Sequence, residues 1–164
     1  MRTSSKTAAV VVTALTLLSL SPAASARAAV ASAAPGLEYV NGATGMCLAV
    51  GQGEVRAGKP VIQWPCIGSK SQRWIHRSDH RLVNAKTGLC LAIGRGEKKQ
   101  GKVAIQWLCT DGGPAQQWDY DGRQRVRNRA TGMCLAIGQG EAREGKKAIQ
   151  WPCTSSASQA WRRW

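Results

Sequence analysis

Short apolar segments alternate with polar, glycine-rich segments along most of the chain. Cys47–Val50 and residues 61–66 are short runs rich in β-branched and aromatic residues, and a glycine-rich stretch over residues 51–58 separates them. Turn-forming pairs at residues 79–80 and 121–122 precede further apolar runs. Helical periodicity is almost absent. The pattern therefore predicts an all-β protein of about twelve short strands.

The N-terminal segment has a different pattern. Basic residues precede a continuous apolar stretch over residues 8–20, and small residues follow it. This order is typical of a secretory signal peptide, and the stretch is shorter than the roughly 18 residues of a membrane span. We predict a signal peptide at residues 1–28, with the mature chain starting at Arg27 or Ala29, and a flexible lead over 29–36.

The remaining residues, 37–164, contain a threefold internal repeat. Three segments of 26 residues align without a gap, and 15 positions are identical in all three. Three units are too few for a propeller, and the terminal copies lack the atypical sequence of solenoid caps. We therefore expect three units closed around a threefold axis. The predicted repeats cover about 37–79, 80–123 and 124–164.

The repeated motifs resemble the ricin B-type lectin family. Each copy contains Cys-Leu-x-Val/Ile, a glycine-rich loop, Gln-Trp-x-Cys and a closing Gln-x-Trp. The resemblance covers essentially all of residues 37–164. It implies a β-trefoil with about four short strands per repeat and pseudo-threefold symmetry, and it implies a carbohydrate-binding function.

The resemblance gives two sets of tryptophans different roles. Those of the Gln-x-Trp motif would pack in the core: Trp74, Trp118 and Trp161. Those two residues before the second cysteine of each copy would stack on a sugar ring: Trp64, Trp107 and Trp151. The alternative for the second set is that these rings only fill an apolar surface cleft.

The sequence departs from the family's sugar site in all three copies. Sugar-binding members carry an Asp that accepts hydrogen bonds from sugar hydroxyls, and here its places hold Ala49, Ala92 and Ala136. A second position, often Gln in the family, holds Ile62, Ile105 and Ile149. Because a methyl group accepts no hydrogen bond, binding of simple galactose is expected to be weak or absent.

Charged residues that recur in or beside the glycine-rich loop are candidates to replace the Asp. They are Glu54, Glu97, Glu141, Lys59, Lys102 and Lys146. These side chains could bind a ligand on the nearby Trp, or they could pair with each other. Strand alternation points Gln63, Gln106 and Gln150 away from the candidate Trp rings, but a bulge would reverse them.

Six cysteines allow 15 sets of disulfide pairings. The two cysteines of each copy are 19 positions apart in all three copies, and this symmetry favours bonds within copies. We predict the disulfides Cys47–Cys66, Cys90–Cys109 and Cys134–Cys153. Closely spaced Cys-x-x-Cys pairs are absent and only two histidines occur. The sequence therefore predicts no metal site, and it suggests no cofactor.

The chain is strongly basic, with 23 Lys and Arg against 9 Asp and Glu. Removal of residues 1–28 would leave 20 basic and 9 acidic residues, a net charge of +11. Basic loops suit anionic polymers at low salt. No nucleic-acid-binding motif accompanies the charge, so no specific nucleic-acid partner is expected.

The sequence favours a secreted, extracellular and monomeric protein that resembles a lectin. Its expected ligand is a carbohydrate polymer, acidic polymers included, and no catalytic activity is expected. The repeats offer one Glu per copy and no repeated His, whereas catalysis needs a nucleophile with a base or two facing carboxylates. The alternative function is a secreted basic β-trefoil scaffold, for interaction or inhibition, that binds proteins or anionic polymers without a sugar site.

Overall fold

The computed structural model of the protein describes residues 36–164. The predicted signal peptide and nearly all of the predicted lead lie outside the described residues. In the described range, the chain forms no helix that is long and apolar enough to span a bilayer.

Twelve short strands and six 3₁₀ turns make up residues 36–164. The strands are β1 (Leu37–Asn41), β2 (Cys47–Val50), β3 (Val61–Trp64), β4 (Arg73–His76), β5 (Leu82–Asn84), β6 (Cys90–Ile93), β7 (Ala104–Trp107), β8 (Trp118–Tyr120), β9 (Val126–Asn128), β10 (Cys134–Ile137), β11 (Ala148–Trp151) and β12 (Trp161–Arg163). The 3₁₀ turns are Gly51–Gly53, Lys70–Gln72, Gly94–Gly96, Pro114–Gln116, Gly138–Gly140 and Ala157–Gln159.

Six strands form a closed barrel, with two strands from each third of the chain. β1 pairs antiparallel with β4 and β12, β4 pairs with β5, and β8 pairs with β9. Isolated bridges close the two remaining gaps, one between Arg81 and Gln117 and one between Arg125 and Ala160. Closure leaves the barrel with no free sheet edge.

The other six strands form three hairpins, β2–β3, β6–β7 and β10–β11, each paired over four residues. Single bridges join each hairpin to the next, so the three hairpins surround one pseudo-threefold axis. The bridges are Pro60–Ile105, Val103–Ile149 and Ile62–Lys147. A six-stranded barrel with three hairpins is a β-trefoil, and the predicted fold is confirmed.

The Gln-x-Trp motifs build the core, as predicted. Trp74, Trp118 and Trp161 are fully buried. Each indole Nε1 donates a hydrogen bond to a backbone carbonyl of the preceding hairpin, at 2.9 Å for Trp74 and Leu48. Because the indole N–H is satisfied, burial of the large ring carries no penalty for an unpaired polar group.

The buried glutamine of each motif fixes the segment that follows the hairpin. The Gln72 side chain donates to the carbonyl of Pro65 at 2.7 Å and accepts from the N–H of Ile67 at 2.9 Å. Gln116 and Gln159 repeat this arrangement. Each hairpin therefore leads into its 3₁₀ turn along a fixed path.

The three predicted disulfides are confirmed. They join Cys47 to Cys66, Cys90 to Cys109, and Cys134 to Cys153. Each bond connects the first residue of one hairpin strand to the residue two positions beyond the partner strand. Each hairpin is therefore closed covalently next to its exposed Trp.

Candidate functional site

Each third of the molecule carries a surface cleft between its hairpin and its second 3₁₀ turn. We name the clefts after the tryptophan in each one. The volumes are about 770 Å³ for the Trp64 cleft, 710 Å³ for the Trp107 cleft and 460 Å³ for the Trp151 cleft. The three rings are 39%, 44% and 42% exposed, whereas the core tryptophans are 0% exposed.

The floor of each cleft is apolar. In the Trp64 cleft, Ala49 and Ile62 are directly paired across the hairpin and both line the cleft beside Trp64. Ala49 is buried, so its methyl group closes the floor of the cleft. The equivalent alanines and isoleucines line the other two clefts.

One edge of each exposed Trp ring is covered by a glycine of a neighbouring repeat. Gly58 lies against Trp107, Gly101 against Trp151, and Gly145 against Trp64. A Cβ atom on Gly58 would stand 3.4 Å from Cζ3 of Trp107, and the backbone φ of this glycine is +82°. The rings therefore lie across the junctions between repeats, with one part packed and the other part open to solvent.

The glutamines before the exposed tryptophans lie on the opposite, buried face of each hairpin. Gln63 is fully buried and donates to the carbonyl oxygens of Glu141 and Arg143 at 2.7 and 2.8 Å. Gln106 and Gln150 hold the loops of the other repeats in the same way. Strand alternation thus holds without a bulge. The glutamines support the clefts from behind without lining them.

The repeated charges pair with each other. Each Glu carboxylate binds the Lys ammonium of its own loop: Glu54 with Lys59, Glu97 with Lys102, and Glu141 with Lys146. The hydrogen bond from each lysine, aided by Arg56 in the first repeat and Arg143 in the third, lowers the pKa of the glutamate below its usual value. The carboxylates therefore stay ionised further into the acid range than an unpaired glutamate does.

The structure places only part of the charged candidate set at the clefts. Lys59 lines the Trp64 cleft and Lys102 lines the Trp107 cleft. Lys146 lies beside Gly138 and Ile149, as Lys59 lies beside Gly51 and Ile62. The three glutamates line none of the three clefts. The glutamates instead contact the lysines through ion pairs.

Polar groups at the cleft rims were not singled out from the sequence. Gln52, Arg95 and Gln139 occupy the middle of each Gly-x-Gly turn with φ near +60° and line the clefts. Hydroxyls line the opposite wall: Ser69, Ser71, Thr110, Thr154, Ser156 and Ser158. The recurrence of Gly-x-Gly in all three copies is the sequence signal that could have identified the first group.

Among residues 36–164, the group closest to a metal-ligand set is Glu38 with Cys47 and Cys66. The two sulfur atoms are bonded to each other, so neither provides a thiolate. This group therefore does not suit a metal ion. No Asp, Glu or His of the described chain lines any of the three clefts.

A family sequence model, that of the ricin-type beta-trefoil lectin domain, matches residues 37–161. No curated protein matches the chain. Among solved structures, the designed threefold-symmetric protein ThreeFoil superposes with a TM-score of 0.72 and 26% identity, covering 77% of this chain and 96% of that one.

Two natural proteins superpose almost as well. An exo-β-1,3-galactanase from Clostridium thermocellum gives a TM-score of 0.70 at 25% identity, covering 80% of this chain and 30% of the galactanase. The agglutinin from Abrus precatorius gives 0.69 at 21% identity, covering 79% of this chain and 48% of the agglutinin, a likeness of fold alone. The chain thus spans only part of each of these two proteins.

Proposed function

The chain belongs to the ricin-type β-trefoil lectin family, and on this basis we propose that it is a carbohydrate-binding module without catalytic activity. The observation that carries the proposal is the threefold recurrence of a half-exposed Trp ring above an apolar floor with a polar rim. A sugar ring has an apolar face and a hydroxyl edge. The Trp ring and the apolar floor suit the apolar face, and the polar rim suits the hydroxyl groups.

Stacking on Trp64, Trp107 and Trp151 would supply most of the contact with the sugar. The open part of each ring faces a cleft whose volume of 460–770 Å³ matches the usual range for small ligands. The rim would then orient the sugar. Around Trp64, the rim offers the amide of Gln52, the hydroxyl of Ser69 and the ammonium of Lys59.

The roles of the repeated charges follow from their pairing. We propose that Lys59 and Lys102 donate hydrogen bonds to sugar hydroxyls in their clefts. Glu54, Glu97 and Glu141 would act as positioning residues that hold the lysines Lys59, Lys102 and Lys146. In this arrangement, no carboxylate accepts directly from the sugar, in contrast to the family members with an Asp at the cleft floor.

A polymer is the ligand that suits three related clefts on one rigid body. Each site alone would bind weakly, because stacking and a few exposed hydrogen bonds provide little orientation. When one site is occupied on a polysaccharide, the remaining sites meet further sugar units at high effective concentration. We therefore propose a polysaccharide as the ligand.

We also propose a binding rather than a catalytic role, in an extracellular location. Sugar hydrolysis needs two carboxylates that face each other across the bond, and the clefts are lined by none of the described carboxylates. Three disulfides are typical of proteins from oxidising compartments. The lining of the clefts and membership of the lectin family support a binding role, and the disulfides support an extracellular location.

A glycan array probed with the mature protein tests the proposal, with free sugar as competitor. Binding to glycans that the matching free sugar competes away is the expected result. Binding restricted to polyanions of every kind, abolished by salt and unaffected by free sugar, would contradict the proposal and favour the basic scaffold instead.

A further inference from the structure

The three clefts share one backbone but differ in charge. Arg56, Lys59 and Lys147 line the Trp64 cleft, and Arg95 and Lys102 line the Trp107 cleft. At the Trp151 cleft, Lys146 lies beside Gly138 and Ile149 as Lys59 lies beside Gly51 and Ile62, and it is paired with Glu141. The clefts therefore share a loop lysine paired with a glutamate, and only the Trp64 cleft is also lined by Lys147.

Lys147 reaches the Trp64 cleft from another repeat. Its backbone forms an antiparallel bridge with Ile62, and directly opposed residues of such a pair project from the same face of the sheet. Ile62 and Trp64 are two residues apart on that face and both line the cleft. The ammonium of Lys147 therefore belongs to the same surface as the Trp64 ring.

The equivalent positions toward the other two clefts carry no charge. Pro60 forms the corresponding bridge with Ile105, and Val103 forms it with Ile149. The lysine is thus a single departure from threefold symmetry, and it affects one cleft. An alignment of the repeats does not show which cleft the lysine lines, because Lys147 belongs to the third repeat and lines the cleft of the first.

Among the basic residues that line the Trp64 and Trp107 clefts, Lys147 has the least neutralisation by nearby carboxylates. Arg56 and Lys59 both bind the carboxylate of Glu54. Arg95, in the Trp107 cleft, lies near enough to Glu97 to contribute to the lowered pKa of that carboxyl group. Lys147 is exposed and forms no ion pair with any carboxylate of residues 36–164.

We propose that the Trp64 cleft binds an anionic sugar residue, with the ring on Trp64 and the carboxylate or sulfate group at the ammonium of Lys147. The Trp151 cleft, where Val103 takes the place of Lys147 in the bridge to Ile149, binds neutral sugar. This inference rests on the proposed carbohydrate-binding function and specifies the ligand class of one of its three sites.

Single-cleft variants separate the three sites. The Trp64-cleft variant carries Trp107→Ala and Trp151→Ala, so that only the Trp64 cleft keeps its ring. The Trp151-cleft variant carries Trp64→Ala and Trp107→Ala, so that only the Trp151 cleft keeps its ring. Both are probed on an array of matched neutral, carboxylated and sulfated glycans. Far-ultraviolet circular dichroism and thermal unfolding verify that each variant is folded.

The Trp64-cleft variant is expected to bind the anionic member of a matched pair about twofold to fivefold more tightly than the neutral member, the range for an exposed ion pair. Added Lys147→Val should abolish this preference. Added Lys98→Ala, which removes the same charge from an exposed loop position outside the clefts, should retain it. Val103→Lys in the Trp151-cleft variant should create the preference.

An anionic preference that survives Lys147→Val, or that Lys98→Ala reduces equally, would overturn the inference and assign the effect to overall charge. Binding by the wild-type protein but not by the folded Trp64-cleft variant would overturn it as well. If the wild-type protein binds no glycan at all, the proposed function itself fails. The carboxylated and sulfated arms show which anionic group the cleft prefers.

Discussion

Gly58, Gly101 and Gly145 show how a residue without a side chain shapes a surface in this protein. Each one adopts a positive φ and lies against the Trp ring of another repeat. A β-carbon at this position would be strained by the backbone and would approach the ring. Each exposed Trp ring therefore packs against a glycine that the neighbouring repeat contributes.

Replacing Gly58 by Ala should destabilise the protein by about 1 kcal/mol or somewhat more, because a φ of +82° is unfavourable for alanine. The new methyl group would also lie in van der Waals contact with Trp107, 3.4 Å from its Cζ3, and should change its fluorescence. Urea unfolding measures the first effect. Gly45→Ala is the matched control, since Gly45 has a positive φ but nothing within 4 Å of its Cβ position. Equal fluorescence spectra for the two variants would contradict the packing role of Gly58.

At the same scale, the sequence left the direction of Gln63 open, because strand alternation and a bulge would point the side chain in opposite directions. The partners of Gln63 decide the matter, and they are carbonyl oxygens of residues 141 and 143 in a different repeat. A local pattern does not contain such long-range hydrogen bonds. The same reason hides the contribution of Lys147 to the Trp64 cleft.

The hairpin with its disulfide is the structural element that carries each cleft. In β6–β7, Cys90 is paired directly with Trp107, and the disulfide to Cys109 closes the hairpin at that point. Both the hairpin and its disulfide were predictable, because they depend on residues within 20 positions of each other. The contacts between hairpins depend on residues far apart in the chain.

Removal of one disulfide by Cys90→Ala with Cys109→Ala should lower the free energy of unfolding by roughly 3 kcal/mol, since a loop of about 20 residues is no longer closed in the unfolded chain. The expected result is a lower denaturant midpoint with a native-like circular dichroism spectrum. Binding through the two remaining hairpins should persist. A midpoint equal to that of the wild-type protein would contradict the stabilising role of the bond.

The glycine-rich loops add an acid-sensitive component to stability. Because ion pairing lowers the pKa of Glu54, Glu97 and Glu141, their contribution is fully present above the usual glutamate pKa and is lost as the pH falls through the lowered values. The triple Glu→Gln variant should therefore lose less stability than the wild-type protein between pH 5 and pH 2, as followed by thermal unfolding. Identical pH profiles would show that the pairs do not contribute.

On the scale of the whole molecule, the sequence repeat predicted three units closed around a threefold axis, since three equivalent units without caps can bury their apolar faces by closing on each other. The resemblance to the ricin B-type lectins then implied the trefoil. The chemical differences between the clefts could not be predicted from the sequence repeat. They arise at junctions between repeats, where Lys147 meets Ile62 and where Pro60 and Val103 take the equivalent places.

The floor alanines and the net charge together predict the ligand preference of the whole protein. Simple galactose and lactose should bind weakly or not at all, because Ala49, Ala92 and Ala136 accept no hydrogen bond. An acidic polysaccharide should bind better, with an affinity that falls as salt rises. Isothermal titration at low and physiological salt checks both. Tight, salt-independent binding of lactose would show that another group replaces the family's Asp.

The proposed function requires that the three half-exposed tryptophans bind sugar and that the three buried ones do not. The most direct measurement is the binding isotherm of the variant with Ala at Trp64, Trp107 and Trp151, on a glycan that the wild-type protein binds. Loss of a stacking ring should cost about 1 to 3 kcal/mol per site, in a protein that remains folded. Trp118→Ala should instead lower stability, because that ring is fully buried. A folded triple variant with wild-type affinity would contradict the claim and assign these rings to packing between repeats.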